Sequence, residues 1–220
     1  MNPRPGKLES YREDQVAKNY DGRWQSAAGK RRDLRKGRVL QVALDRIAAD
    51  SNNSLQSVLD VPFGTGRFHA IYKERGLQVV GADLSLAMLQ QARRKTGGGA
   101  FLSADLENLP FADQAFDVVV CIRLFHLIRD PKIRLRFLQE VRRVSRVGAV
   151  LGWHHRSSFR VWGRHLRHRL GLRAKAPGNP SPMQLLNEIH QAGFPEHHWL
   201  PLRPIPFLSD KVLVAGFTKS

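Results

Sequence analysis

Cysteine is nearly absent. Cys121 stands alone in 220 residues, so no intrachain disulfide can form, which fits a reducing compartment. No apolar run reaches the ~20 residues that cross a bilayer, and no transmembrane segment is expected. The opening Met-Asn-Pro-Arg-Pro-Gly-Lys-Leu-Glu-Ser has no apolar core of the secretory-leader kind. Together these features predict a soluble, cytoplasmic protein. Metal-ligand spacing is also missing: His154, His155, His165 and His168 lack cysteine partners and a carboxylate set, so no metal is expected. The Gly-x-Gly-x-x-Gly pattern that cradles a pyrophosphate does not occur. Acids are scarce. Nineteen Asp and Glu face 36 Lys and Arg, a net charge of +17. An excess of that size attracts polyanions: nucleic acid, an anionic membrane face, or an acidic protein.

What is present is ordinary globular material, 42% hydrophobic and 25% charged, long enough for one domain with a full core. Residues 1–50 read as an N-terminal helical cap belonging to that domain, with a helical stripe over Lys30–Ala49 whose first half is very basic. From 51 onward strands and helices alternate. Strands are expected at 57–61, 78–82, 100–103, 116–121 and 147–153. Helices are expected near 67–75, 85–95 and 131–145, the second ended by Gly97-Gly98-Gly99. This alternation predicts an α/β fold, a doubly wound parallel sheet with helices on both faces. Residues 154–180 interrupt it with a basic helical insertion after strand five. The insertion carries Phe159, Trp162, Leu166 and Leu170 at helical spacing among arginines. A helix over Pro182–Ala192 and two strands within 197–219 complete the chain.

Three acids sit where parallel strands should stop: Asp60, Asp83 and Asp105. A glycine turn, Phe63-Gly64-Thr65-Gly66, follows the first. Ligands of open α/β sheets bind at the carboxyl ends of the strands. Three strand-end acids beside a glycine turn describe a nucleoside pocket.

Four segments in this order resemble the class I S-adenosylmethionine-dependent methyltransferases, in particular the small ubiquinone-pathway and malonyl-carrier-protein enzymes. They are Leu59-Asp60-Val61-Pro62-Phe63-Gly64-Thr65-Gly66, Gly81-Ala82-Asp83-Leu84-Ser85, Ala104-Asp105-Leu106-Glu107-Asn108-Leu109-Pro110-Phe111, and Phe116-Asp117-Val118-Val119-Val120-Cys121. The resemblance runs from about Leu55 to Gly152 and implies a Rossmann-like fold with S-adenosyl-L-methionine as cofactor. It implies that Gly64 and Gly66 lie under the methionine end, with Asp60 ending the strand before them. It implies that Asp83 takes the ribose hydroxyls and Leu84 packs on adenine. Asp105 would accept from the adenine amine between Ala104 and Leu106, and Cys121 would end strand four near the sulfonium. The family usually has glycine and a small residue where this chain has Pro62 and Phe63, so Phe63 is expected to add bulk beside the methionine moiety.

The resemblance also implies that the loop after strand four faces the methyl group. His126 is then the candidate base, with Tyr20 and Trp24 lining the acceptor side. The basic helix, through Arg164, Arg167 and Arg169, is expected to act as a lid that grips an acidic surface. The motifs for cytosine-carbon and planar nucleobase-amine methylation are absent. The leading expectation is a monomeric methyltransferase acting on N or O of an acidic or polyanionic macromolecule, a protein lysine or RNA. The alternatives are a small or lipid-linked acceptor at a membrane face, through transient surface contact, and a non-catalytic basic binding module that kept the fold.

Overall fold

A computed structural model describes residues 19–51, 54–172, 180–203 and 210–217. Residues 1–18 of the expected cap lie outside this set. Helix α1 (Ala27–Ser51) precedes β1 (Ser57–Asp60), α2 (His69–Glu74), β2 (Gln78–Asp83), α3 (Leu86–Thr96), β3 (Ala100–Ser103) and β4 (Phe116–Cys121). Then follow α4 (Pro131–Val144), β5 (Ser145–His154), α5 (Phe159–Arg169), α6 (Pro182–Gln191), β6 (Glu196–Pro201) and β7 (Lys211–Phe217). The seven strands form one sheet in the order β3-β2-β1-β4-β5-β7-β6. All pairings are parallel except the two made by β7, which runs antiparallel to β5 and β6.

Local chemistry sets the helix ends. Ser85 caps α3 by accepting from the Met88 N–H at 3.2 Å, and Gly97 ends it at φ 75°, a left-handed conformation that glycine adopts at least cost. Asp130 caps α4 with Pro131 in the first turn, and Ser181 and Gln184 form a capping box on α6. Each such cap contributes about 1 kcal/mol.

Two apolar layers sandwich the sheet. On one face α1 packs Leu40, Ala43, Leu44 and Ile47 against Val58, Val118, Val120 and Val150. On the other, Leu138 and Val141 of α4 and Leu185 and Ile189 of α6 cover Leu59, Val119, Leu151 and Val214. Alternation along β1 and β4 supplies both faces, which is why these strands read as continuous apolar runs. Between α4 and α6 lies a buried ion pair. Arg134 Nε donates to Glu188 Oε2 at 2.8 Å and Arg134 Nη2 to Oε1 at 2.5 Å, while Nη1 reaches the carbonyls of Ile128 and Arg129.

The parallel arrangement lines up the carboxyl ends of β1, β2, β3, β4 and β5 on one edge. Because β7 is antiparallel, Lys211 at its start pairs with His154 at the end of β5. Lys211 therefore joins the same edge.

Candidate functional site

The turn after β1 is built without the N–H that proline lacks. Val61 N–H donates to the Val120 carbonyl at 2.9 Å, and Phe63 N–H to the Ala82 carbonyl at 2.8 Å. Pro62 thus falls between two ladder bonds and removes neither. The Phe63 ring does not add bulk beside the methionine position, contrary to the expectation from sequence. It is 3% exposed and packs with Leu89, Ala92 and Phe101, the Phe101 ring centroid lying 4.7 Å away. Gly81 makes room for it: a Cβ there would stand 2.6 Å from Phe63 Cγ. Gly64 and Gly66 both have positive φ, 60° and 69°. A Cβ on Gly64 would meet nothing within 4 Å, so the backbone there is bare to a ligand laid across the turn.

Asp83 closes the edge of this turn. Its Oδ2 accepts from the Gly64 N–H at 2.7 Å and its Oδ1 from the Ser85 N–H at 2.9 Å. Burial pushes its carboxyl above the ordinary range, against the backbone donors of Ser85, Gly64 and Leu84. Asp60 sits deeper, 2% exposed, and accepts from the Tyr72 hydroxyl at 3.0 Å. Burial raises its carboxyl well above the usual value; the Tyr72 hydroxyl opposes this and the Asp83 charge adds to it. Asp60 is thus floor rather than wall. Asp105 is half-buried after β3, its Oδ1 accepting from the Glu107 N–H at 3.1 Å, with Ala104 and Leu106 buried on either side and Leu84 partly exposed. Cys121 is fully buried, and burial with the Asp60 charge pushes its thiol well up. It belongs to the core beneath the site.

The end of the cap reaches over the turn. The Thr65 hydroxyl donates to Asp21 Oδ1 at 2.7 Å, and Lys95 Nζ holds Asp21 Oδ2 at 3.0 Å. Tyr20 packs on Ala87 and Met88, and the Arg123 guanidinium lies 5.0 Å over its ring. Trp24 closes a short 3-10 turn, Asp21–Trp24; its side chain lies outside the described set. Arg67 pairs with Asp33 of α1.

His126 lies in a 3-10 turn, Phe125–Leu127, just past β4, on the same edge. It stacks on His154 at a centroid distance of 4.1 Å. Sequence reasoning gave His126 a role and placed Arg123 in the same loop, but it weighed His154 only as a metal ligand and did not bring Lys36 or Lys211 to this edge, where the structure gathers them. The basic first half of the Lys30–Ala49 stripe was the signal for Lys36; Lys211 had none. His154 is held neutral, its value lowered from 6.5 to about 2 by burial first and then by His126, Lys211, Lys36 and Arg123. Because its folded value is depressed, the unfolded chain takes up a proton first as pH falls. The stability it contributes is complete above about 6.5 and declines toward pH 2, at up to ~1.4 kcal/mol per pH unit. Melting temperature should therefore drop between pH 6.5 and pH 4.5, and His154→Gln should make that drop shallower. Equal slopes for the two proteins would show that His154 is not the acid-sensitive group.

The three arginines proposed for acceptor contact separate. Arg164 is tied to Asp210 at 3.2 Å, which makes it a brace between α5 and the start of β7. Arg167 and Arg169 are exposed. Val161 anchors α5, fully buried, while Phe159, Trp162, Leu166 and Leu170 are 43–67% exposed. Among the described residues the apolar stripe of this helix therefore faces outward.

A seven-stranded sheet in this order, with an antiparallel β7 and a glycine turn after β1 at the ligand-binding edge, is the class I S-adenosylmethionine-dependent methyltransferase fold. Solved structures agree. Magnesium protoporphyrin IX methyltransferase from Synechocystis, with bound SAH, superposes with a TM-score of 0.68 at 15% identity, over 96% of this chain and 99% of that one. A possible histamine N-methyltransferase from Thermotoga maritima gives 0.64 at 20% identity, over 94% and 98%. Residues 59–152 match the family model for a methyltransferase domain. Over 94 residues the chain is 37% identical to a malonyl-[acyl-carrier protein] O-methyltransferase of Hamiltonella defensa, covering 43% of this chain and 35% of the relative. Over 96 residues it is 38% identical to a demethylmenaquinone methyltransferase of Renibacterium salmoninarum, covering 44% and 39%. The chain thus spans well under half the length of these relatives.

Proposed function

We propose that this chain is an S-adenosylmethionine-dependent methyltransferase acting on a small or lipid-linked acceptor at an anionic membrane face. The observation that carries the activity is the bare Gly64 backbone hydrogen-bonded to the Asp83 carboxylate. An anchored carboxylate beside an open glycine turn suits a nucleoside with vicinal hydroxyls. Asp105, one strand further out, suits the exocyclic amine. Bound S-adenosylmethionine would supply an electrophilic methyl group. What remains for the chain is to orient both partners, exclude water and take a proton from the acceptor. Tyr20 and the Asp21 tether lie over the turn, and His126, just past β4, would receive the proton.

For the acceptor, the names of the relatives favour a carrier-bound acyl group with a free carboxyl, or a quinone, over a protein lysine or RNA. Helix α5 favours the membrane. A polyanion alone asks for arginines, whereas a bilayer surface also takes Phe159, Trp162, Leu166 and Leu170 into its headgroup boundary. The test is to supply purified protein and methyl-labelled S-adenosylmethionine to a bacterial membrane extract. Label should enter the organic-soluble fraction. Label in RNA, or in protein in a form that hydroxylamine does not release as a carrier-bound thioester, would overturn the acceptor class, and no label anywhere, with no cofactor binding, would overturn the activity.

A further inference from the structure

The outward apolar face of α5 does not stand alone. Large apolar side chains are exposed on three other helices at the edge that carries the cofactor turn. Leu86 opens α3, straight after β2, and is 63% exposed. Met183, in the first turn of α6, is 66% exposed. The start of α6 belongs to this edge, because the Arg156 N–H just past β5 donates to the Pro180 carbonyl at 3.0 Å. Leu34 of α1 is 63% exposed. Its neighbour Asp33 pairs with Arg67 beside the glycine turn, and Lys36 lines one cavity with His154 at the end of β5. Helix α5 itself lies along the edge, since Phe159 closely follows β5 and Arg164 holds Asp210 just before β7. Single exposed apolar residues are ordinary on a protein surface. Leu34, Leu86, Phe159, Trp162 and Met183 instead ring one edge, and α1 and α6 cover opposite faces of the sheet. Apolar clustering of that kind marks an interaction surface.

Basic side chains share the edge. Arg31, Leu34, Arg35 and Arg38 are all exposed and recur at helical spacing, so they form one outer face of α1. Arg167 and Arg169 are exposed on α5. Pairing within the chain cannot exhaust this charge. The net charge of +17 already counts every acid, including Glu9, Glu13 and Asp14, which stand in sequence among Arg4, Lys7, Arg12 and Lys18. Each Lys or Arg held near an anionic bilayer adds attraction, while tryptophan and aliphatic side chains enter its headgroup region. Nucleic acid would draw the arginines, but it offers no apolar phase to Leu34, Leu86 and Met183.

We propose that the whole carboxyl edge of the sheet, and not α5 alone, lies on an anionic bilayer, so that an acceptor reaches the site without leaving the lipid. Contacts at both α1 and α6 set the orientation, because two points on opposite faces of the sheet leave that edge directed at the membrane. The acceptor route rests on the proposed methyl transfer. The membrane contact does not, and it is measured without cofactor or acceptor.

The experiment places an environment-sensitive fluorophore on one introduced cysteine in the full chain; Cys121 is fully buried and does not take the label. Leu34→Cys and Met183→Cys report from the rim and Trp162→Cys from α5. Glu74→Cys reports from the opposite edge, where Glu74 is exposed at the end of α2. On vesicles of equal parts phosphatidylglycerol and phosphatidylcholine the first three should shift to the blue and Glu74→Cys should not. Pure phosphatidylcholine should give much smaller shifts. Unlabelled Leu34→Glu with Met183→Glu should melt as wild type does, both positions being exposed, yet bind the anionic vesicles roughly tenfold more weakly. If either Leu34→Cys or Met183→Cys stays unshifted while Trp162→Cys shifts, or the double variant binds like wild type, the edge-on contact is overturned and a membrane-face acceptor remains. No shift at any position would overturn both. Binding of a single-stranded RNA oligonucleotide with none to the vesicles would reassign the edge to nucleic acid. Vesicle binding by a protein that does not bind S-adenosylhomocysteine would remove the methyl transfer and leave this surface standing.

Discussion

Asp83→Ala should weaken S-adenosylhomocysteine binding ten- to a hundredfold. The expectation follows from two facts about the carboxylate. It is fixed in place by the N–H groups of Gly64 and Ser85 at 2.7 and 2.9 Å, so no side-chain freedom is lost when a ligand arrives. It also sits at the strand end nearly buried, at 8% exposure, where a hydrogen bond to a charged group contributes ~1.5–3 kcal/mol. The substitution also removes the acceptor of the Gly64 N–H, so a purely structural loss must be separated from a lost ligand contact. A product analogue without the 2′- and 3′-hydroxyls does this. Wild type should bind it much more weakly than the product, while Asp83→Ala should bind the two alike. If the hydroxyls matter equally to both proteins, Asp83 does not hold the ribose.

The largest stability effect is expected at Glu188. Arg134 is 5% exposed and gives two donors to Glu188 and one group to the carbonyls of Ile128 and Arg129. Glu188→Ala leaves that guanidinium buried without its counter-charge, a change that costs ~3–5 kcal/mol. For a chain of this size the melting temperature should fall by roughly 10 °C. Replacing both partners, as Arg134→Met with Glu188→Leu, should recover most of the loss, because desolvating an ion pair offsets much of its attraction. The carbonyls of Ile128 and Arg129 keep the recovery incomplete. A double variant as unstable as Glu188→Ala would mean that Arg134's contacts to the carbonyls of Ile128 and Arg129, and not the pair with Glu188, carry its stabilising effect.

Sequence periodicity located the sheet well, and for a physical reason. Strands buried on both faces must be apolar throughout, so Phe116–Cys121 stands out with the ends the structure gives it; Ala100–Ser103 also has the expected ends, although it is an edge strand exposed at both of them. Gly97 marked the end of α3 because a left-handed residue is needed there. The strand-end acids were legible because each closes an apolar run, although Asp60 and Asp83 are themselves buried. What periodicity could not give is direction in irregular backbone. Phe63 lies in a turn, where the two-residue alternation no longer says which way a side chain points, and it turned into the core. Nor could it give meetings across the chain. The Arg134–Glu188 pair spans 54 residues. The group around His126 joins Lys36 to Lys211, far apart in the sequence, and the antiparallel course of β7 carries Lys211 to that edge. The outward stripe of α5 looked like any buried helix face, since spacing records amphipathicity and not which side is covered.

The contact between Phe63 and Gly81 makes the two positions a single volume shared between neighbouring strands' ends. With no Cβ on Gly81, the phenyl ring occupies the room a side chain on β2 would take. The pair can therefore be exchanged only together. A methyl added at Gly81 would stand 2.6 Å from Phe63 Cγ and force the ring out of its place, disturbing the turn that carries Gly64. A small residue at position 63 alone would leave a void under Leu89 and Phe101 and let the turn sink. Any attempt to restore the family's usual small residue at position 63 has to rebuild position 81 in the same step.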